Sequence, residues 1–170
     1  MDIDLFGKQS LETSNATWNA THEVDSMTET LTEEIAIDVP PERVFEAWTE
    51  ASHLMAWWGD GTEFRTTSWE GDLRVGGKWR AQFVDVKGNV LSVGGEYLRI
   101  DRPTCLSFTW KTDWDNAAPT TIELEFRRTD TGTLLILKQH GLENADAFEQ
   151  SKQAWLPMVG WLKQYLSRPL

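Results

Sequence analysis

The pattern of apolar and polar positions predicts a strand followed by two short helices at the start of the folded region. Apolar residues alternate with polar ones over 31–39, which is the two-residue period of a half-buried strand. A Pro-Pro pair ends that strand, and Val44, Phe45 and Trp48 then recur at helical spacing. Proline suits the first turn of a helix. A second short helix is predicted over about 51–57.

The middle of the chain predicts six strands joined by short connections. Their predicted ranges are 64–69, 77–85, 91–101, 104–111, 120–127 and 133–139. Glycine stands with aspartate or asparagine in several of the connections, as is typical of turns. Short links between neighbouring strands indicate an antiparallel meander and not a parallel sheet, which would need long crossovers.

Helical spacing returns over about 144–166, where Phe148, Trp155 and Val159 belong to a broad apolar stripe. Such a stripe suits a helix that lies across a concave sheet. Pro157 predicts a kink or a break, because proline lacks the backbone donor and crowds the preceding turn. The order of elements predicts an α+β fold in which the long helix covers one sheet face and the two short helices close one end.

The charge and composition of the chain limit its possible binding partners and its cellular location. Residues 1–30 contain six acidic residues and one lysine, and we expect a flexible acidic arm before a domain over 31–170. The net charge of −11 comes with no basic stripe, which disfavours nucleic-acid binding. We also expect no membrane span and no signal peptide. The single cysteine, Cys105, excludes an intramolecular disulfide and favours a cytoplasmic location.

Ten tryptophans in 170 residues are more than a core of this size needs. They indicate either a solid aromatic core or a cavity walled by aromatic side chains. In the second interpretation, Tyr97, Trp110 and Gln139 have polar ends that could orient a ligand. The candidate ligand-binding residues are Trp57, Trp79, Phe83, Tyr97, Phe108, Trp110, Leu124, Gln139, Trp155 and Val159.

The sequence offers no set of residues that would make a catalytic or metal site. His22, His53 and His140 lie far apart, and none has a metal-ligand spacing to Cys105 or to another histidine. Charged residues in the predicted loops are more often solvated than catalytic. We therefore assign no catalytic residue, no metal and no cofactor.

Five short motifs carry a family resemblance. They are VPPERVF at 39–45 followed by Trp48, WWG at 57–59, VGGKWR at 75–80, GEY at 95–97 and LSFTW at 106–110. In this order the chain resembles the helix-grip superfamily known as START-like or SRPBCC. Within it, the chain is similar to the branch named for the activator of the heat-shock protein 90 ATPase. The resemblance covers about residues 31–166 and implies a helix-grip fold, with a cavity between the sheet and the last helix.

The chain departs from this family around the expected cavity. Gln139 stands where the family often has a histidine. His140 is shifted by one place and should face the other side of the strand. Ala154 replaces a family glycine, and Pro157 is unusual.

The resemblance leaves three functions open. The first is the binding of a small hydrophobic or aromatic molecule in the cavity. The second is a chaperone-associated interaction module with a role in the stress response. The third is a cyclase- or hydrolase-like enzyme that uses the same cavity. The expected partners are a small hydrophobic ligand and, as alternatives, a chaperone or a second copy of the chain in a homodimer.

Overall fold

The computed structural model describes residues 28–168, and over this range it contains seven strands and three helices. In chain order they are β1 (Glu29–Ile37), α1 (Pro41–Thr49), α2 (Ala51–Trp57), β2 (Phe64–Gly71), β3 (Lys78–Asp85), β4 (Val90–Asp101), β5 (Cys105–Thr112), β6 (Thr120–Arg128), β7 (Thr133–Leu142) and α3 (Ala145–Leu166). The predicted α+β order of elements is confirmed.

The seven strands form one antiparallel sheet in the order β1-β7-β6-β5-β4-β3-β2. The chain crosses from β1 at one edge to β2 at the other by way of α1 and α2. From β2 onward each strand pairs with the next, so tight turns are sufficient connections. The meander ends with β7 beside β1.

The strand register places apolar residues together on the inner face of the sheet. Leu106, Leu124 and Leu137 are neighbours across β5, β6 and β7, and all three are buried. On the outer face of the same strands Glu123 is paired with Lys138. This division follows from the alternation of side chains along a strand, and it produces the concave apolar surface on which the helices pack.

The long helix α3 begins as the sequence predicts. The Asn144 side chain accepts a hydrogen bond from the Ala147 N–H at 2.8 Å, which satisfies a free donor of the first turn. The helix then runs without interruption to Leu166, so the expected kink or break at Pro157 is not a break, and the kink stays a prediction. Pro157 and Gln153 both lie on the exposed side of the helix. The Gln153 carbonyl that proline leaves without a donor can therefore be hydrated.

The helices cover different parts of the inner face. Helix α3 packs mainly on β1 and β7, α2 packs on β2, and α1 packs on β6. Between them, the inner face of β3–β5 is covered mainly by aromatic side chains. This arrangement buries six tryptophans of the described residues in the interior: Trp48, Trp57, Trp58, Trp69, Trp79 and Trp155.

The predicted acidic arm falls almost entirely on residues 1–27, which lie outside the described residues. Its last members, Glu29 and Thr30, already belong to β1. The pairing of β1 with β7 shifts register between Glu29 and Leu31, and from Leu31 it is regular.

Gly95 is required by the way β4 approaches β5. A Cβ atom at this position would lie 1.9 Å from the Thr109 carbonyl oxygen, closer than any side chain can approach. The same oxygen accepts a hydrogen bond from Trp79 Nε1 at 3.1 Å. Glycine at 95 thus allows the Trp79 indole to be anchored at the junction of the two strands.

Candidate functional site

Trp58 lies at the centre of an aromatic cluster between the helices and the sheet. It follows the last turn of α2 and is 1% exposed. Six ring centroids lie 5.1–6.4 Å from its own, within the usual range of aromatic contact. They are those of Trp48, Trp57, Trp69, Phe83, Trp110 and Trp155.

Stacked pairs hold the sheet side of this cluster together. Trp58 stacks with Phe83 at an interplanar angle of 12° and with Trp110 at 18°. Trp69 stacks with Trp79 at 5.2 Å and 11°. Trp110 is half-buried, whereas the other four are buried. Trp110 is therefore the member of these stacks with most access to solvent.

A small interior space lies beside the cluster, beneath α3. The gaps between its lining side chains are too narrow to hold a water molecule. The lining combines β1, β7, the short helices and α3, and consists of Ile35, Trp48, Trp57, Leu135, Leu137, Trp155, Met158, Val159 and Leu162. Ligand pockets usually measure about 300–1,000 Å³. The space therefore has to widen before it can hold a ligand.

Two of the three indole donors on this interior space already have partners. Trp57 Nε1 donates to the Ala47 carbonyl at 2.8 Å. Trp155 Nε1 donates to Gln139 Oε1 at 2.9 Å, and Gln139 Nε2 in turn donates to Thr120 Oγ1 at 3.0 Å. Trp48 Nε1 is buried and has no hydrogen-bond partner among the described residues.

Gln139 and His140 face opposite sides of β7, as the alternation predicts. Gln139 is 6% exposed and faces α3 through its bond to Trp155. His140 is half-buried on the outer face, where Nε2 lies 3.2 Å from Glu123 Oε1. In this chain the residue that faces the interior is thus a neutral amide, and the histidine has no access to the cluster.

Tyr97 lies at the far end of the aromatic cluster, against Phe108 at 6.3 Å. Burial raises the pKa of its phenol, and the neighbouring Trp69 indole opposes this shift to a smaller extent. The phenol is therefore neutral at physiological pH. It lies close to the backbone of Gly71, where a Cβ atom would be 3.0 Å from the hydroxyl oxygen.

The ten predicted ligand-binding residues separate into groups in the structure. Trp57, Trp155 and Val159 line the interior space. Trp79, Phe83 and Trp110 belong to the aromatic cluster, and Phe108 and Tyr97 extend it. Leu124 is buried in β6, and the amide of Gln139 is occupied by Trp155 and Thr120.

This grouping differs from the cavity that the sequence predicts. That cavity had Phe83, Tyr97, Trp110 and Gln139 on its wall, whereas in the structure these side chains contact other side chains. The interior space instead lies toward β1 and β7. The role of the ten residues in ligand contact stays a prediction.

Several residues at the centre of the site are absent from the predicted set. Trp58, Trp48 and Met158 are the most important of them. The WWG motif contained a signal for Trp58, because a bulky ring directly after a short helix can turn toward the sheet. Trp48 and Met158 each lie on an apolar helical stripe, which predicts burial and not contact with a particular space.

A larger depression, of about 1050 Å³, lies around Gly94 on the sheet. It opens widely to solvent, and its rim carries both signs of charge, including Lys78, Arg80, Glu96 and Asp113. Lys78 and Glu96 already form an ion pair at 2.8 Å. An open and charged surface does not suit an apolar ligand. We therefore place the candidate site in the interior, although it is the smaller of the two spaces.

The described residues contain neither a metal site nor a helix suited to a membrane. No group of three or more His, Cys, Asp or Glu residues within 28–168 is arranged to hold a metal ion. None of the three helices in this range combines the length and the apolar character that a membrane crossing requires.

A curved antiparallel sheet that wraps a long C-terminal helix, with two short helices at one end, defines a helix-grip protein. Solved structures share this fold. A protein of Chromobacterium violaceum has a TM-score of 0.75 at 22% identity, over 82% of this chain and 98% of its own. The AHSA1 protein of Silicibacter pomeroyi has a TM-score of 0.71 at 23% identity, and the match covers 82% of this chain and 98% of that protein. The AHSA1-like protein of Aeromonas hydrophila has a TM-score of 0.70 at 22% identity, and the match covers 82% of this chain and 92% of that protein.

The family is shown by the sequence itself. The family model for the activator of Hsp90 ATPase homolog 1-like proteins matches residues 38–167. The chain therefore belongs to this family, as the motifs predict. Among curated proteins, none matches the chain.

Proposed function

We propose that this protein binds a small, neutral, hydrophobic or aromatic molecule in the interior between α3 and the sheet. The family and fold are consistent with ligand binding. The observation that carries the proposal is the interior space itself, because the surface that lines it is apolar. An apolar ligand gains free energy from burial there without leaving a charge unpaired.

Two features of α3 favour widening of the interior space. Met158 is a flexible side chain with three rotatable bonds, which adapts readily to a changed neighbour. Pro157 removes the backbone hydrogen bond to the Gln153 carbonyl, in the turn that directly precedes Met158 and Val159. A small shift of this turn would enlarge the space without unfolding the sheet.

The proposal is tested with the neutral solvatochromic dye 6-propionyl-2-(dimethylamino)naphthalene. We expect its emission to shift to the blue and tryptophan emission to be quenched, with a dissociation constant on the order of micromolar. Met158→Ala should bind the dye several-fold more tightly, because it removes side-chain volume from the lining. Leu156→Ala is the matched control, since Leu156 lies in the same helix but is 54% exposed.

Binding to the wild type that Met158→Ala strengthens and Leu156→Ala leaves unchanged would support the proposal. Absence of binding by both the wild type and Met158→Ala would contradict it. Val159→Phe gives an independent check, because the added ring should fill the interior space and weaken binding. Mass spectrometry of material that co-purifies with the native protein would then identify the natural ligand.

The second candidate function is a chaperone-associated role. The observation that favours it is the family, whose description names an activator of the Hsp90 ATPase. It is tested by adding the protein to an Hsp90 from the same source and measuring ATP hydrolysis. Stimulation that saturates with the protein would favour this role.

The third candidate, an enzyme, requires an acid or base that faces the interior. The buried polar side chains of residues 28–168 are Thr49, Thr66, Thr133 and Gln139. None of them is a carboxylate or an imidazole, the side chains that most often serve as acid or base. The cytoplasmic location and the homodimer stay predictions. Sedimentation velocity would test the homodimer, because it reports the oligomeric state in solution.

A further inference from the structure

The exposed side of α3 carries free positive charge, although the chain as a whole has a net charge of −11. Lys152 and Lys163 are both exposed, and neither forms an ion pair within residues 28–168. Glu149, one turn before Lys152, accepts a hydrogen bond from Gln153 instead. The two lysines are separated by nearly three full turns, or about 16 Å along a helix. They therefore mark the two ends of one helix face.

The middle of this face contains two residues that weaken a helix. Pro157 removes a backbone hydrogen bond. Gly160 loses more freedom on folding than alanine would, yet a Cβ atom at this position would meet no atom within 4 Å. Leu156, one turn before Gly160, is 54% exposed. Residues that break a local rule without a gain inside the fold are expected where a surface has another use. The α3 face is defined here as Lys152, Leu156, Pro157, Gly160 and Lys163.

The segment before β1 has a composition that complements the α3 face. Residues 1–27 contain five acidic residues and one lysine. Trp18 stands between two Asn-Ala-Thr tripeptides, with Glu12 before it and Glu23 after it. Opposite charges attract, and an indole ring covers a large apolar area at a low cost in conformational entropy. The segment thus offers an apolar side chain between acidic ends, whereas the α3 face offers an apolar centre between basic ends.

The start of β1 brings this segment close to α3. Glu29 is paired with Leu142, and α3 begins soon after it, at Ala145. Lys152 lies about 10 Å further along the helix. An extended chain covers about 3.3 Å per residue, so the stretch from Glu23 to Glu29 is long enough to reach it. The rest of the segment can then run along α3 toward the C-terminal end of the helix.

We propose that residues 1–27 bind the α3 face of the same molecule, with the Trp18 ring over Leu156 and Gly160. In this arrangement Glu23 lies toward Lys152 and Glu12 toward Lys163, in the order that the chain direction gives. The contact is on the surface and is not needed for folding. It does not depend on ligand binding in the interior, because the α3 face lies on the opposite side of the helix from the buried Met158.

Other occupants fit the α3 face less well. Two copies packed through this face would bring their lysines together, and like charges across an interface repel. An anionic membrane would repel a chain with a net charge of −11, and Leu156 alone offers little apolar area to insert. A separate acidic protein would have to compete with a tethered segment, whose effective concentration is on the order of millimolar.

The test uses the full chain and NMR spectroscopy. We expect nuclear Overhauser contacts between the indole protons of Trp18 and the methyl groups of Leu156. Lys163→Glu should remove these contacts by reversing the charge that faces Glu12, and raising the salt concentration to about 1 M should weaken them through screening. Lys111→Glu is the matched control, because Lys111 is an exposed lysine of β5, and it should leave the contacts unchanged.

A second measurement follows the backbone amide resonance of Gly160. It should move in Trp18→Ala, which removes the ring above it, and should stay in place in Phe6→Ala, which removes another ring of the same segment. If the Trp18 contacts are absent and the Gly160 resonance is the same in the wild type and in Trp18→Ala, the inference is wrong. Contacts that arise only between a labelled and an unlabelled molecule would also contradict it, because a second copy would then cover the face.

Discussion

Trp58 stacks on Trp110 with ring centroids 5.6 Å apart and ring planes 18° from parallel. The pair joins the end of α2 to strand β5 across the middle of the sheet. Trp58 is buried and contacts rings from both short helices, from the sheet and from α3, whereas Trp110 is half-buried. The pair therefore connects the closed centre of the molecule to its more accessible side.

Loss of the central ring should destabilise the whole domain. We expect Trp58→Ala to lower the free energy of unfolding by about 3–5 kcal/mol, the usual cost of removing a large buried aromatic side chain. Trp110→Ala should cost less, since that ring is already partly hydrated. Urea unfolding followed by circular dichroism measures both values. Equal losses in the two variants would show that Trp58 is not the centre of the cluster.

The Trp155–Gln139 hydrogen bond should matter chiefly because both partners are buried. Trp155→Phe keeps a ring but leaves Gln139 Oε1 without its donor, and it should cost about 1–3 kcal/mol. Gln139→Leu added to this variant removes the unsatisfied acceptor and should recover part of the loss. A double-mutant cycle in urea gives the coupling energy. Strictly additive losses would mean that the bond contributes nothing.

The sequence predicted the elements of this fold well because their signals are local. The alternation over 31–39 and the turns between strands can be recognised from neighbouring residues alone. Asn144 is a further case, since an N-cap residue marks the start of a helix wherever the helix packs. Pro157 does not break its helix because it lies on the solvent side, where the loss of a hydrogen bond is tolerated.

The site was harder to predict because it depends on which of many rings meet. Alternation placed Phe83, Trp110 and Trp79 on the inner face, and they do lie there. It could not indicate that Trp58 would insert between them, or that α3 would lie toward β1 and β7. Both depend on contacts between residues far apart in the chain.

Residues 1–27 should be dispensable for folding. Their sequence is polar and shows little apolar periodicity, and the regular pairing of β1 with β7 begins at Leu31. We expect deletion of 1–27 to leave Tm within a few degrees of the full-length value in differential scanning calorimetry. Deletion of 1–30 is the comparison, because it also removes Thr30, whose hydroxyl lies 3.2 Å from His140 Nδ1. A collapse of Tm with the shorter deletion would show that the arm is part of the folded domain.

Tyr97 should make the domain sensitive to alkaline pH. Burial raises the pKa of its phenol above the ordinary value of 10.0, so the folded state holds this proton more tightly than the unfolded state does. The resulting stability is fully present below pH 10 and is lost as the pH rises toward the folded-state pKa. Tyr97→Phe should therefore lose less stability than the wild type between pH 9 and 11. Parallel stability curves for the two proteins would exclude this role.

The most direct test of ligand binding in the interior follows the methionine methyl groups by NMR. Met158 lines the interior space, whereas Met55 on α2 is 41% exposed and serves as a control within the same molecule. The protein is labelled with ¹³C-methyl methionine and titrated with 2-acetylnaphthalene. We predict a saturable shift of the Met158 methyl resonance at micromolar probe, with Met55 unchanged. A Met158 resonance that stays fixed up to the solubility limit of the probe would contradict binding in the interior.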